Sequence, residues 1–202
     1  MSKPKNNWDI RYDEDRYFYG LKPNAFIARK VPELATGRLL FLAEGEGRNA
    51  VFAAGLGHDV VAVDNSFVGQ RKALALAESR QLTVEYRLED IVGGSWVNEP
   101  WDGIVLCFAH MPPEVMPEVH AACAAALRPG GVLIMNSFAK SQFGRKTGGP
   151  PRLEWLHDLA EVRGQFPGLE VEAVETEVEL AEGSGHRGLA MVIELVGRKV
   201  VV

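Results

Sequence analysis

The sequence predicts an α/β protein built on a mostly parallel sheet covered on both faces. Three observations predict it. Four short runs, Arg38–Ala43, Asp59–Val63, Gly103–Phe108 and Gly131–Met135, are apolar at consecutive positions rather than alternating, as strands are when both faces are buried. Stretches of helix formers lie between them, which is the βαβ alternation of right-handed crossovers. Two longer strand-like segments, Leu169–Leu180 and Gly188–Val196, are joined by Glu182-Gly183-Ser184-Gly185. A short Gly-rich link of this kind reads as a hairpin, so one strand near the end is reversed.

The elements follow in order. A polar, aromatic stretch containing Trp8, Tyr12, Tyr17, Phe18 and Tyr19 precedes the first strand. Residues 1–34 are expected to fold over a sheet core at 35–202, all in one domain. Helices are expected at Arg48–Leu56 and at Val68–Arg80, the latter rich in strong helix formers. Val84–Leu88 is a more polar strand, suited to a place nearer the sheet edge. A helix over Glu114–Leu127 stops at Arg128-Pro129-Gly130-Gly131, where Pro and Gly end it. Ala139–Pro151 reads as a long loop, of the kind that tends to be functional. Pro151–Phe166 reads as a helix.

Composition narrows the function classes. The chain has 202 residues, 47% of them hydrophobic, and a net charge of −5. That balance disfavours nucleic acid or an anionic membrane as the main partner, since both need a basic face. No apolar run reaches the roughly 20 residues that span a bilayer, and the opening residues lack a signal-peptide core. The two cysteines, Cys107 and Cys123, have no partners at metal spacing, so no metal site is expected. They read as free thiols of a cytoplasmic protein.

The chemistry starts after the first strand, at Glu44-Gly45-Glu46-Gly47-Arg48. Gly45-x-Gly47-x-x-Ala50 fits the dinucleotide-binding fingerprint, which allows Ala at the third position, and with the acid that follows it points to an adenosine site. Glycines let the backbone turn sharply and let a ligand approach. Asp64, at the tip of the second strand and 19 residues after Gly45, is placed to accept hydrogen bonds from both ribose hydroxyls. Its alternative is helix capping together with Asn65 and Ser66. Two acids in the loop would repel a pyrophosphate, whereas they attract an ammonium and a sulfonium. Arg48 softens this argument and could pair with Glu46 or with a ligand carboxylate. On charge, the loop favours S-adenosylmethionine over a nicotinamide dinucleotide.

These segments resemble the class I S-adenosylmethionine-dependent methyltransferases, in particular the small tellurite-resistance-type branch. The resemblance rests on Leu42–Asn49, Val61–Asp64, Trp101–Val105 and Leu127–Gly131. It extends to Tyr19-Gly20…Pro23-Asn24, Thr147–Pro150 and Glu182-Gly183…His186…Gly188. It implies a Rossmann-like sheet of seven strands in the order 3-2-1-4-5-7-6, with strand 7 antiparallel. It also implies that the methionine end sits at Glu44, Gly45, Glu46, Gly47 and Arg48, and the ribose at Asp64. Adenine is then expected between Asn65 and Leu88-Glu89, with Cys107 and Phe108 under the methionine moiety. Tyr19 and Asn24 belong to the covering segment. Two positions depart from the family pattern. Phe41 and Ala43 stand where an acid and a glycine are commoner, leaving Glu44 as the amine acceptor. Arg87 stands where an acid is commoner, so Glu89 or Asp90 would take its place.

On the acceptor side, His110 follows the fourth strand at the edge where open α/β sheets bind ligands, and is the candidate general base. Its alternative is a structural role in the Met111-Pro112-Pro113 turn. His186, by the hairpin, is open to the same two readings. His58, His120 and His157 read as exposed and without a role. Lys140, Arg145 and Lys146 put positive charge in the long loop, for an anionic acceptor or for solvent. The reading is a methyltransferase with a small-molecule acceptor, monomeric or weakly dimeric. A nicotinamide oxidoreductase and a non-catalytic S-adenosylmethionine-binding regulator are its alternatives.

Overall fold

The computed structural model describes residues 6–201. Seven strands form one sheet in the order β3-β2-β1-β4-β5-β7-β6. They are β1 (Arg38–Leu42), β2 (Asp59–Asp64), β3 (Glu85–Leu88), β4 (Trp101–Cys107), β5 (Leu127–Phe138), β6 (Leu169–Glu182) and β7 (His186–Lys199). β1 to β5 are mutually parallel, and β7 runs antiparallel to both β5 and β6. The helices are α1 (Asn7–Tyr12), α2 (Ala25–Lys30), α3 (Arg48–Gly55), α4 (Phe67–Ser79), α5 (Met116–Ala126) and α6 (Leu159–Arg163).

Strand alternation divides the core in two. Leu39 and Phe41 of β1 face Ile27, Ala50, Ala53, Ala73 and Leu76 of α2, α3 and α4. Leu40 and Leu42 face Met116, Val119, Cys123 and Val162 of α5 and α6, together with Trp96 and Trp101. All four β1 residues are buried, which is why the run is apolar throughout.

The helix stops before Arg128-Pro129-Gly130-Gly131 as expected, while other expectations are corrected. α5 ends at Ala126, and these residues enter β5 through an irregularity between the pairs Trp101↔Leu127 and Gly103↔Val132. Pro151–Phe166 is not one helix but a 3-10 turn at Leu153–Trp155 and the short α6. Between them His157 is drawn into an extended bridge, its N–H donating to Phe138 O (3.1 Å) and its carbonyl accepting from Lys140 N (2.8 Å). Asp158 then caps α6 by accepting from Ala160 N and Glu161 N. The long loop is also more ordered than expected. Gln142 reaches Thr147 Oγ1 (2.8 Å) and Gly148 O, and takes Met191 N (2.8 Å). Lys140 pairs with Glu161 and Arg145 with Glu177, so neither charge is aimed at a ligand.

His58, His120 and His157 are buried rather than exposed. His157 stands between His110 (ring centroids 5.4 Å) and His120 (5.6 Å), and His120 stacks on Phe166. His120 Nδ1 meets Gln165 Oε1 at 2.6 Å, while the Nε2 atoms of His120 and His157 are buried without a partner. Burial pushes His120 down from 6.5 to about 4, and burial, then the neighbouring His110, His120 and Lys140, push His157 well below its usual value. Unfolding frees both rings to take up protons near pH 6.5. The stability held by keeping them neutral is therefore complete above that pH and is lost as pH falls towards 4. Thermal midpoints across this window should drop steeply, with more than one proton taken up on unfolding; a flat profile would contradict the neutral column.

Candidate functional site

The parallel strands end together at one edge, and their tips line a cavity of about 450 Å³. Ala43 and Glu44 follow β1, Asp64 and Asn65 follow β2, Asp90–Val92 follow β3, and Cys107–Pro112 follow β4. α3 contributes Arg48 and Asn49, and the N-terminal segment adds Trp8, Tyr12 and Tyr19. Ala43 (φ 53°) and Phe108 (φ 54°) hold left-handed backbone at two of these tips. Such strain costs on the order of 1 kcal/mol or more and tends to gather at ligand sites.

Glu44 is buried, and its Oε1 accepts from both Asn49 N and Ala50 N at 2.8 Å. It thus caps α3, whose own N-cap is Gly47, with no side chain to offer. Burial raises the Glu44 carboxyl to about 7, against the two backbone bonds and the nearby Arg48. Asp64 accepts from Gly45 N (2.9 Å) on one oxygen and from Ser66 N (2.8 Å) on the other. It ties the glycine loop to the turn after β2 and faces the cavity, while the cap of α4 is Ser66, whose side chain accepts from Gly69 N, and not Asp64.

The two loop glycines answer to packing. A Cβ on Gly45 (φ +60°) would fall 2.5 Å from the Tyr12 hydroxyl, and one on Gly47 (φ +85°) would fall 2.5 Å from Ala73 Cβ. The space expected for a ligand's approach is held by α1 and α4. Arg48 pairs not with Glu46 but with Glu182, Nη2 to Oε2 at 2.9 Å. Glu46 turns away from the cavity, to Lys72 Nζ (2.5 Å) and Phe18 N (2.7 Å). Asn24 is buried as the N-cap of α2, and its side chain donates to Glu182 and Asn136, so it supports the site from behind. Leu88 is exposed, and Glu89 is bonded to Ser95 N and Oγ. The wall beyond β3 is made instead by Asp90, Ile91 and Val92. Arg87 is bound to Glu99 and Glu85, outside that wall.

The covering segment is docked on α4. Asp9 accepts from Ser66 Oγ (2.7 Å) and Val68 N (3.1 Å), and Lys72 Nζ donates to the carbonyls of Tyr12, Glu14 and Arg16.

The histidines exchange roles. His110 lies on the cavity, but its Nδ1 meets Trp155 O at 2.9 Å and its Nε2 accepts from Phe138 N at 3.3 Å. Burial pushes it down to about 4. Both nitrogens are committed to holding three chain segments together, which corrects its assignment as the free base. His186 donates from Nδ1 to Glu182 Oε2 at 2.8 Å, leaving Nε2 as the acceptor nitrogen of the neutral ring. Burial lowers His186, against the pull of Glu182. Burial alone would raise Glu182, but His186 and Arg48 hold it down at about 2. The signal for this pair was present in the sequence as an acid and a histidine flanking a hairpin turn.

Comparison with known proteins agrees with this architecture. Residues 40–131 match a family model described as a methyltransferase domain. A curated relative, hemagglutinin 1 of Eikenella corrodens, is 34% identical over 107 residues, 52% of this chain and 35% of that protein, so the chain spans about a third of its length. TehB from Haemophilus influenzae superposes with a TM-score of 0.72 at 20% identity, over 88% of this chain and 62% of that one. A structure reporting the conversion of a disulfide bond into a thioacetal group during echinomycin biosynthesis also gives 0.72 at 20% identity, over 92% and 85%. The chain therefore has the Rossmann-like methyltransferase fold, and the part of it that matches the methyltransferase-domain model, residues 40–131, contains its glycine loop and Asp64.

Proposed function

We propose that the protein is an S-adenosylmethionine-dependent methyltransferase acting on a small molecule. The observation that carries this reading is Glu44. Its carboxylate already takes the N–H groups at the start of α3 and also faces the cavity. A dinucleotide pyrophosphate needs those donors and no anion beside them, so the nicotinamide reading loses its anchor. An ammonium gains from the same carboxylate. The donor set fits the sulfonium cofactor: Glu44 for its ammonium, Arg48 for its carboxylate, and Asp64 for the ribose hydroxyls.

When bound, S-adenosylmethionine supplies a methyl group already activated by the sulfonium. The chain has to position an acceptor, exclude water and, for a protonated nucleophile, take a proton. His186 suits the last task. Glu182 fixes its tautomer and stabilises the imidazolium that forms, while Arg48 keeps Glu182 ionised. The fold likeness and the quoted motifs support a place near the tellurite-resistance branch. The two free cysteines suit a cytoplasmic setting. Among the described residues, no helix is long and apolar enough to cross a membrane. The decisive assay measures S-adenosylhomocysteine formed over an acceptor panel. Binding without turnover on every acceptor would favour the regulator.

Glu44 makes the cofactor claim testable through linkage. Its carboxyl stands at about 7 when folded, above its usual 4.5. It therefore stabilises the fold only at low pH, and that contribution is lost as pH rises from 4.5 through 7. Glu44→Gln should raise the thermal midpoint above pH 7 while weakening S-adenosylhomocysteine binding about tenfold. Calorimetry should show wild-type affinity falling as pH drops below 7 and a flat profile in the variant. Equal affinity in both proteins would remove Glu44 from the site.

His186→Gln should lower turnover by about 10²-fold on acceptors that must lose a proton, leaving S-adenosylhomocysteine affinity unchanged. His110→Gln should lower thermal stability instead, because it breaks a tie between segments. Reversed results for the two histidines would restore His110 as the base.

A further inference from the structure

A second cavity, of about 650 Å³, adjoins the first and shares Trp8, Tyr19, Phe108, His110, Trp155 and His186 with it. Its walls are aromatic. Phe108 and Phe138 stack with centroids 4.4 Å apart, and His186 stands edge-on to both, at 4.6 and 5.0 Å. Tyr19 closes on the other side of the same imidazole at 4.5 Å, with Phe18 edge-on to Tyr19. Glycine is required where the backbone meets this wall. A Cβ on Gly148 would fall 2.6 Å from His186 Cδ2, and one on Gly185 would fall 2.3 Å from Tyr19 Cε1. The rings are thus held from behind rather than left free to rotate out.

The charges on this wall are as selective as its rings. Among the described residues, no Asp, Glu or Lys lines the cavity, and Arg11 is the one permanent charge. Its guanidinium lies 4.8 Å from the Trp8 ring centroid and 5.4 Å from that of Phe18. Aromatic cages bind cations, but here the cation is already supplied by the chain, and a second one would be repelled. A small oxyanion would find a single guanidinium in a chamber far larger than itself. A flat ring with one acidic substituent fits both features: faces for the aromatic wall, and an anion for Arg11.

We propose that this chamber holds the methyl acceptor, and that the acceptor is an aromatic molecule bearing one acidic X–H group, a thiol or a phenol. This rests on the methyltransferase reading and adds the substrate class to it. The X–H bond breaks, its proton passes to Nε2 of His186, and the electron pair stays on X as the nucleophile. The new imidazolium is held by Glu182, which also pairs with Arg48; the cations Arg48 and Arg11 oppose the new charge, and the Tyr19 ring lies beside it. Arg11 holds the anion from the outer side.

The test uses the full chain with saturating S-adenosylhomocysteine and two coloured probes, 4-nitrophenol and 4-nitrothiophenol. Calorimetry measures binding, and absorbance reads whether the bound probe is ionised. Both probes should bind at least about tenfold more tightly than 2-mercaptoethanol, selenite or benzyltrimethylammonium, and should ionise at a lower pH than when free. Arg11→Gln should weaken both anions about fivefold and leave neutral 4-nitroanisole unchanged. His186→Gln should reverse the shift in ionisation without expelling the probe. Whichever probe ionises with the larger shift identifies X as sulfur or oxygen. Selenite binding as tightly as the aromatic acids would overturn the proposal in favour of an oxyanion. So would 4-nitroanisole binding as well as 4-nitrophenol, or no probe binding while S-adenosylhomocysteine does. Failure of S-adenosylhomocysteine itself to bind would instead overturn the methyltransferase reading, a result distinct from all of these.

Discussion

One buried carboxylate organises this molecule. Glu182 ends β6 and receives Arg48 from α3, His186 from the start of β7, and Asn24 from the cap of α2. Three partners meet on its two oxygens, two of them, Arg48 and Asn24, from 134 and 158 positions away. A charge taken out of water at that depth is tolerable only with every lone pair answered, so each partner is bound to its place by the others. The orientation of His186, the reach of Arg48 across the cavity and the entry angle of α2 all follow from satisfying this group. Removing Glu182 would leave Arg48 as an unpaired buried charge, a far larger penalty than the loss of one hydrogen bond.

A similar tension holds at Glu44. Its carboxylate serves α3, yet burial opposes its ionisation. A neutral residue would be easier to bury and useless to an ammonium. Ala43 and Phe108 carry the same signature in the backbone, with left-handed conformations at β-branch-free but non-glycine positions beside the cavity. Local rules give way where the strand tips meet the ligand space.

How much of this was legible in the sequence depends on the range of the interaction. β1, β2 and β4 were readable because consecutive burial on two faces leaves an apolar run, and the hairpin because Gly183 and its neighbours punctuate two long strands. Glu44 and Asp64, singled out from charge and from their places at strand tips, do line the cavity. The misplaced residues all depend on distant partners. Nothing near Glu46 announces that Lys72 will claim it, and Arg48 meets Glu182 across 134 positions. Gly45 and Gly47 were correctly read as special, but the atoms that exclude a side chain there are those of Tyr12 and Ala73. His110 looked free because Trp155 and Phe138, which occupy its nitrogens, lie far along the chain. Pro151–Phe166 failed as a helix because a tertiary bridge at His157 overrode local propensity.

The hairpin between β6 and β7 grips the N-terminal segment. Ser184 N and Gly185 N both donate to Phe18 O, and Ser184 Oγ adds a third bond across 166 positions. Gly183 and Gly185 lie so close to Phe18 and Tyr19 that neither has room for a side chain. During synthesis, then, the sheet can grow from β1 to β5 while the aromatic wall of the second chamber has nothing to close against. The chamber is sealed only when β7 slots between β5 and β6 and the tip of the hairpin clasps residues 18 and 19. The second chamber is therefore the last part of the fold to close, and a ribosome-bound fragment ending before residue 186 would carry the glycine loop and Asp64 with both cavities still open on the side that His186 completes.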